Sequence, residues 1–325
     1  MKQFIKNKYI QSLQADLKFF ETYLEQSVSS EEPLVAGSVL HLVRSGGKRM
    51  RPKFAILAAQ ANNYDINKML PLLAALELLH TGSLIHDDVI DGATKRRGNP
   101  TVNAIHGNKT AIFIGDFLVG RAFELVSQYN DDRIISAIER TVTEMTKGEL
   151  RQVADFYRVD QSYEDYFYRI ERKTALLFST SCETGACVSG ASDSEIQALK
   201  LYGYYLGMAF QIMDDILDMT ADEVVLGKPV GSDLRQGNLS LPVIYCLKNS
   251  SQKEQLAKMI LDSKTNQNLI IPIINIVKSS GGMEYSKKTA DDFIKKALSQ
   301  INKLKPGKHR TAMIEIADMV VKRDY

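Results

Sequence analysis

The feature that most limits the fold of this chain is its helical period. Apolar residues recur every three to four positions over long stretches, which places each set on one face of a helix. The 325 residues contain eight prolines, spread widely, so few of these stretches are interrupted. We find no alternation typical of half-buried strands and no hairpin signal. The sequence therefore predicts an all-α fold, a single-domain bundle of antiparallel helices. Examples of the apolar stripes are Leu72, Leu76, Leu79 and Leu201, Tyr205, Met208, Ile212.

The N-terminus has the pattern of a separate element. Residues 1–30 are predicted to form an amphipathic helix that packs on the rest or takes part in a dimer, and residues 31–325 one all-α domain. Clusters of glycine and proline predict the main loops. These clusters lie at 45–52, 98–108, 226–238 and 279–282.

Charge and cysteine content exclude several classes of protein. Lys and Arg number 41 against 39 Asp and Glu, a net charge of +2, so there is no general positive field for nucleic acid. The three cysteines have no metal-binding spacing and are typical of reduced thiols. The first residues lack the apolar core of a signal peptide, and no segment holds the about 20 apolar residues that cross a bilayer. We therefore expect a cytoplasmic protein.

A repeated acidic pattern is the strongest chemical signal. HDDVID at 86–91 recurs as MDDILD at 213–218, each time after an apolar helical stretch. In a helix, Asp87 and Asp91 share a face, and His80 falls within about 40° of the same line. In the second copy, the residues that cluster in the same way are Gln211, Asp214, Asp215 and Asp218.

The spacing of these carboxylates requires a compensating cation. Like charges four residues apart repel each other, and the cost rises near an apolar core. Because the adjacent turns are apolar, a hard divalent cation fits better than Lys or Arg. Mg²⁺ keeps several waters and commonly joins one or two carboxylates to substrate phosphates. Two such motifs facing each other would hold a phosphorylated substrate, whereas either motif alone could be a solvated helix end.

Two basic clusters could contact such phosphates directly. SGGKRMRP places Lys48, Arg49 and Arg51 after two glycines and before a predicted helix, a setting in which phosphates bind. It is not a Walker A loop, because GxxxxGK[ST] is absent. Taken alone, a basic run is more often a solvated loop and a single lysine an exposed surface residue. The second cluster is Lys95, Arg96 and Arg97, and further candidates are Lys173, Thr174 and Lys228.

Together these motifs resemble those of the trans-isoprenyl diphosphate synthase (polyprenyl synthetase) family. The resemblance runs from about residue 30 to the C-terminus, through GGKRMRP, LLHTGSLIHDDVIDGATKRRGNPT, GDFL, GELRQ, RKTALLF and FQIMDDILD with GKPVGSDL. It implies an all-α fold around a central cavity, usually dimeric. It also implies Mg²⁺-dependent head-to-tail coupling of isopentenyl diphosphate to an allylic diphosphate, with residues 31–325 as the catalytic domain.

The resemblance also implies a role for each matching residue. The metal ligands would be Asp87, Asp91, Asp214 and Asp218, supported by Asp88 and Asp215. The contacts to the allylic diphosphate would be Arg96, Lys173, Thr174, Gln211 and Lys228, and those to isopentenyl diphosphate Lys48, Arg51, His80 and Arg97. Lys173, Thr174 and Gln211 would be catalytic, the last two by stabilising the developing allylic cation. The family commonly has Gly-Lys where this chain has Gly237-Asn238, so that lysine contact is not carried over.

In the family, residues just before the first aspartate motif limit the length of the product. Here they are Gly82 and Ser83, both small, which implies a product longer than the C15 class. The pattern is most similar to the catalytic large subunits that make heptaprenyl diphosphate for menaquinone side chains. Such subunits often need a small non-catalytic partner, so we expect a homodimer or such a heteromer. Membrane contact is expected to be peripheral at most, for product release, and no nucleic-acid partner is expected.

Three alternatives stay open at this point. A farnesyl or geranylgeranyl diphosphate synthase would carry the same motifs and make a shorter product. A class I terpene cyclase also uses an aspartate-rich helix, but it needs no second diphosphate site such as GGKRMRP would provide. A non-catalytic helical subunit of the family would characteristically lack the aspartate motifs, and this chain keeps both.

Overall fold

The structure is a computed structural model that describes residues 8–28, 33–44, 47–96, 98–221 and 229–322. These ranges are mostly helical, which confirms the predicted all-α class. Arg97 and Lys228, both predicted site residues, lie outside the described residues. The helices are α1 (Lys8–Ser27), α2 (Pro33–Arg44), α3 (Met50–Ala59), α4 (Ile66–Ile90), α5 (Val102–His106), α6 (Asn108–Val126), α7 (Asp132–Ala154), α8 (Tyr163–Ile170), α9 (Leu176–Val188), α10 (Asp193–Thr220), α11 (Ser232–Gln236), α12 (Leu241–Asn249), α13 (Lys253–Asp262), α14 (Ile270–Ser279), α15 (Gly282–Ile301) and α16 (Lys308–Val321), with strands β1 (Lys95–Arg96) and β2 (Asn99–Pro100).

Contacts group the described residues into two compact units. Unit 1 contains those within Met1–Val142, Thr180–Lys200 and Lys303–Met313, and unit 2 those within Thr143–Ser179, Leu201–Asn302 and Ile314–Tyr325. The three cysteines are free and buried, as expected for reduced thiols. The division into residues 1–30 and 31–325 stays a prediction.

In unit 1, α4 forms the centre of the core. It packs chiefly on α6 and also on α1 and α3, and the predicted stripe of Leu72, Leu76 and Leu79 is buried. By length and composition alone α4 could span a bilayer, but 61% of its most apolar window is buried inside the protein. Its apolar composition is therefore that of a helix in the core of the protein.

Pro71 lies inside α4, and a tyrosine from outside the helix binds the backbone of the turn around it. Proline has no backbone N–H and crowds the preceding turn. The Tyr129 hydroxyl donates to the Lys68 carbonyl at 2.6 Å and accepts from the Leu72 N–H at 3.0 Å. Burial raises the pKa of Tyr129, which keeps the hydroxyl protonated. α4 is one helix of 25 residues, from its N-cap Asp65 to the first aspartate motif.

The expectation of no hairpin is wrong at one place, directly after α4. β1 and β2 pair antiparallel, with Lys95 opposite Pro100 and Arg96 opposite Asn99. Gly98 in the turn has a φ of 82°, which glycine adopts without strain. Strands of two residues carry no alternation that a sequence pattern could detect. The hairpin matters because it carries Arg96.

In unit 2, α8 leads directly into a π-helical turn at Glu171–Ala175 and then into α9. A capping box begins α8: the Ser162 hydroxyl accepts from the Asp165 N–H at 3.1 Å, and the Asp165 carboxylate accepts from the Ser162 N–H at 3.0 Å. π-helical turns are rare and occur frequently at functional sites. Lys173 and Thr174 lie in this one.

Candidate active site

The first aspartate motif lies at the C-terminal end of α4 in unit 1. Asp87 and Asp88 are in the last turn, and Asp91 caps the helix, its N–H bonded to the Asp87 carbonyl at 2.8 Å. His80 lies on the same helix, about two turns earlier. Asp87, Asp91 and His80 are half-buried, whereas Asp88 is only 3% exposed. The predicted helical placement of the three is therefore present.

Arg96 from the hairpin binds the middle aspartate of this motif. Its Nε donates to both Asp88 carboxylate oxygens at 2.9 and 3.0 Å, and its Nη2 lies 2.7 Å from Oδ1. Burial alone would lower the pKa of Arg96, but Asp88, with Asp87 and Asp91 nearby, raises it. Part of the positive charge that the motif requires thus comes from an arginine, and Asp88 is held inside the protein.

Two polar residues missed by sequence analysis hold the loop between α4 and α5. The Thr101 hydroxyl donates to the Ala93 carbonyl at 2.7 Å. The Asn103 amide donates to Ala93 at 3.0 Å and to the Asp88 carbonyl at 3.3 Å. Thr101 also caps α5, a role that its position before a helical stretch could have indicated.

The basic loop of unit 1 divides its cations by exposure. Lys48 is exposed, and Arg51 is half-buried in the first turn of α3, which packs on the helix that carries His80. Arg49 is 8% exposed and paired with Glu21 and Glu77. Arg49 therefore serves the fold, and Lys48 and Arg51 are the phosphate candidates in this loop.

The second aspartate motif lies near the C-terminal end of α10, in unit 2. Asp214 is half-buried, and Asp215 and Asp218 are buried. Asp215 accepts from the Tyr166 hydroxyl at 2.7 Å and from the Gln211 amide at 2.8 Å. Burial raises the pKa of Asp215, and the charge of Asp233 raises it further, while the two donors oppose the shift. As in the first motif, the middle aspartate is bound inside the protein.

Thr174 and Gln211, predicted to act together, are in contact. The Thr174 hydroxyl donates to Gln211 Oε1 at 2.6 Å. The Gln211 NH₂ group donates to Asp215, and Gln211 Oε1 therefore points towards Thr174. A chain of hydrogen bonds from Tyr166 to Thr174 therefore joins the second motif to the π-helical turn.

The GELRQ segment of α7 supports that turn. Glu149 lies 3.0 Å from the Lys173 ammonium and also accepts from the Gln152 amide at 3.3 Å. A Cβ on Gly148 would lie 2.5 Å from the Arg172 Cβ, so only glycine permits this close approach. The sequence pattern does not reveal Glu149 as the partner of Lys173, or Tyr166 as the partner of Asp215. The one sequence signal for these partners was the glycine followed by an acidic residue in GELRQ.

The donor set fits a cation that is shared with a ligand. In the part of the chain that the structure describes, no group of three or more His, Cys, Asp or Glu side chains could hold a metal ion by itself. With Asp88 and Asp215 bound internally, the candidate ligands are the two outer carboxylates of each motif, of which Asp218 is buried and accepts from the Asp233 N–H at 3.2 Å. That number suits Mg²⁺ when water and phosphate oxygens complete its shell.

Comparison with known proteins decides the family. The sequence profile of the family described as polyprenyl synthetase matches residues 32–277. The chain belongs to the polyprenyl synthetase family. It is 42% identical over 313 residues to heptaprenyl diphosphate synthase component 2 of Bacillus subtilis (strain 168), covering 96% of this chain and 89% of that protein. This confirms the resemblance inferred from the motifs and the prediction of a prenyltransferase that couples head to tail.

Solved structures of other prenyl synthases share the fold of this polyprenyl synthetase. Heptaprenyl diphosphate synthase from Staphylococcus aureus has a TM-score of 0.91 at 33% identity, over 96% of this chain and 99% of that one. A polyprenyl synthase from Caulobacter crescentus CB15, complexed with calcium and isoprenyl diphosphate, has a TM-score of 0.92 at 30% identity, over 97% and 96%. The divalent cation in that complex agrees with a metal-dependent family.

The two predicted chain-length residues of the polyprenyl synthetase have different surroundings. Gly82 is buried where α4 meets α6, and a Cβ there would lie 3.2 Å from the Gly115 carbonyl oxygen. Ser83 is half-buried, one turn before Asp87, with its hydroxyl donating to the His80 carbonyl at 2.9 Å. A larger residue at 82 would first disturb helix packing, so Ser83 is the cleaner position at which to test product length.

Proposed function

We propose that this polyprenyl synthetase makes a medium- or long-chain all-trans product of heptaprenyl type, used for menaquinone side chains. The observation that carries this proposal is its identity of 42% with a heptaprenyl diphosphate synthase component over nearly the whole chain. The small residues Gly82 and Ser83 support a product longer than C15. The protein would act in the cytoplasm, with peripheral membrane contact for product release.

Mg²⁺ is the proposed metal, held by the outer carboxylates of both motifs. Asp87 and Asp91 would be the ligands from α4, and Asp214 and Asp218 those from α10. The oxygen-only donor set favours a hard cation over zinc or copper. When bound, Mg²⁺ would draw negative charge onto the leaving diphosphate and so weaken the allylic C–O bond.

The proposed roles of the chain's own residues follow from charge and orientation. Arg96 and Lys173 would neutralise the allylic diphosphate, each kept in place by a carboxylate, Asp88 or Glu149. Thr174 and Gln211 would direct oxygen atoms at the allylic carbon as positive charge develops there. Lys48, Arg51, His80 and Arg97 would bind isopentenyl diphosphate, and Lys228 would add a contact to the allylic diphosphate.

A small non-catalytic partner subunit, or a second copy of the chain, is the proposed assembly partner. The name component 2 of the Bacillus relative implies a second component in that enzyme. Large apolar side chains lie exposed on α5 and α6, and such surfaces mark interaction sites. These are Ile105 (56% exposed), Ile112 (42%) and Phe113 (61%).

Product analysis tests the proposed chain length. The purified chain, alone and with a candidate small subunit, is incubated with Mg²⁺, radiolabelled isopentenyl diphosphate and a C15 allylic diphosphate, and the products are separated by chain length. We expect a C35 product and no turnover without isopentenyl diphosphate. A product of C15 or C20 would favour a short-chain synthase, and turnover of the allylic substrate alone would favour a cyclase.

Replacement of Asp87 tests the metal assignment. Asp87→Ala is expected to abolish turnover, because it removes half of the first carboxylate pair. The matched control is Asp262→Ala, an exposed aspartate at the end of α13. Full activity of Asp87→Ala would overturn the assignment.

A further inference from the structure

The N-terminal helix α1 lies outside the family match, which begins at residue 32. Yet it packs on α2, α3 and α4, and Leu13, Phe20 and Leu24 are fully buried. None of the roles implied by the resemblance falls on α1. The polar contacts of α1 are therefore the place to look for a contribution to the site.

Arg49 joins α1 to the basic loop. Its Nε and Nη2 donate to the two carboxylate oxygens of Glu21 on α1 at 2.7 and 2.9 Å. Its Nη1 donates to Glu77 on α4 at 2.7 Å, and Nη2 also donates to the Val43 carbonyl on α2 at 2.6 Å. Burial alone would lower the pKa of Arg49, but the two carboxylates raise it. One charged guanidinium thus joins three helices, and its contact with Glu21 is bidentate.

The backbone at Arg49 is held in an unfavourable conformation. Its φ of 46° and ψ of 44° are left-handed, a conformation that brings the Cβ of a non-glycine residue too close to the backbone carbonyl. Such a conformation persists only where the surroundings fix it. The contacts with Glu21, Glu77 and Val43 provide that fixation.

The turn at Arg49 sets the direction of its neighbours. The Arg49 carbonyl accepts from the Lys53 N–H at 3.1 Å and so begins α3. Lys48 precedes the turn, and Arg51 follows it within the first turn of α3. If Arg49 relaxes, the direction of Lys48 relative to Arg51 changes, and these are the two loop cations assigned to isopentenyl diphosphate.

We infer that Glu21 is a positioning residue for the isopentenyl diphosphate site. It holds Arg49 in the left-handed conformation and thereby fixes Lys48 and Arg51. Glu77 is the deeper partner, with 6% of its side chain exposed against 40% for Glu21. After the charge of Glu21 is removed, Arg49 still has Glu77 as a counter-charge in the interior. The inference rests on the proposed assignment of Lys48 and Arg51.

The variant Glu21→Gln tests the positioning role of Glu21, and Glu25→Gln is the matched control. Glu25 lies on the same helix and pairs with Arg44 at 2.8 Å, but both side chains are exposed, 37% and 62%, so that pair contributes little. In the full chain with Mg²⁺ and its partner subunit, Glu21→Gln is expected to raise the KM for isopentenyl diphosphate about tenfold. The KM for the allylic substrate and kcat should stay within about twofold, and Glu25→Gln should match the wild type.

Two further measurements separate positioning from general damage. Calorimetric titration with isopentenyl diphosphate should show the same loss of affinity, about tenfold, without turnover. Hydrogen exchange should become faster at the backbone amides of residues 48–51 and 53 in Glu21→Gln and not in Glu25→Gln. If Glu21→Gln fails to fold, Glu21→Asp keeps the charge on a shorter side chain and should show the same change at smaller size.

The possible results distinguish the inference from the function on which it rests. Unchanged affinity for isopentenyl diphosphate in Glu21→Gln, or an equal rise in KM for both substrates, would overturn the inference and leave the proposed function standing. A wild-type chain that binds no isopentenyl diphosphate, alone or with a partner subunit, would overturn both.

Discussion

The middle aspartates of the two aspartate motifs have similar surroundings, whereas the outer aspartates differ in burial. The middle aspartate of each is buried and bound inside the protein, Asp88 by Arg96 and Asp215 by Tyr166 and Gln211. A buried carboxylate is stable only when hydrogen bonds or charges compensate it. These partners therefore fix the helix ends. The proposed metal ligands are the outer aspartates, of which Asp87, Asp91 and Asp214 are half-buried, while Asp218 is buried and accepts from the Asp233 N–H at 3.2 Å.

Thr174 gives a prediction at the level of one hydroxyl. Thr174→Val removes the donor to Gln211 Oε1 while keeping the shape of the side chain. We expect kcat to fall about tenfold, with both KM values within about twofold, because the lost contact orients the group proposed to face the developing cation. Thr289→Val, whose hydroxyl donates to the Tyr285 carbonyl within α15, is the control. Equal steady-state kinetics for the two variants would contradict a catalytic role for Thr174.

Ser83 gives a prediction about product length. Ser83→Phe is expected to shorten the main product, because a ring one turn before Asp87 would block the path of the growing chain. Its thermal midpoint should stay near that of the wild type, since Ser83 is only half-buried. Gly82→Phe should also shorten the product, but with a clear loss of stability from crowding against Gly115. An unchanged chain-length distribution for Ser83→Phe, measured by chromatography, would remove this account.

At the scale of elements, the contact of α7 with the π-helical turn depends on Gly148. An added methyl group would lie 2.5 Å from the Arg172 Cβ, so Gly148→Ala is expected to lower the free energy of unfolding by about 1–3 kcal/mol. It should also reduce kcat, because Lys173 and Glu149 lie in the displaced elements.

The control for Gly148→Ala is Gly120→Ala. Gly120 lies on α6 with no neighbouring atom within 4 Å of an added Cβ. There alanine should stabilise the helix by up to about 1 kcal/mol. Urea unfolding measures both changes, and a neutral effect at Gly148 would contradict the proposed close packing.

The elements that the sequence could predict are those marked by the helical period of apolar residues or by the spacing of charged residues. Helices are readable because apolar stripes repeat over many turns, and α4 with Asp87 and Asp91 lay where the pattern placed it. The two-residue strands around Gly98, and the partner of Arg96, are set by contacts between segments, which no local pattern encodes. For the same reason Arg49 looked like a phosphate ligand, although Glu21, 28 positions earlier, binds it inside the protein.

At the scale of the whole molecule, the exposed apolar side chains indicate where the chain would bind a partner. Phe113 is 61% exposed, with Ile112 beside it in sequence and Ile105 on the preceding helix. Aromatic side chains of this kind contribute much of the free energy at protein interfaces. We therefore expect Phe113→Glu to weaken association, with the small subunit or with a second copy, by at least about tenfold, which corresponds to roughly 1.4 kcal/mol.

Sedimentation velocity over a range of concentrations measures that association, and Leu261→Glu is the control. Leu261 is 48% exposed on α13, away in sequence from α5 and α6, which carry Ile105, Ile112 and Phe113. It should change neither association nor stability, because a single exposed leucine is ordinary on a protein surface. Unchanged association in Phe113→Glu would place the interface elsewhere. A matching loss of turnover would show that the assembled form is the one that elongates the prenyl chain.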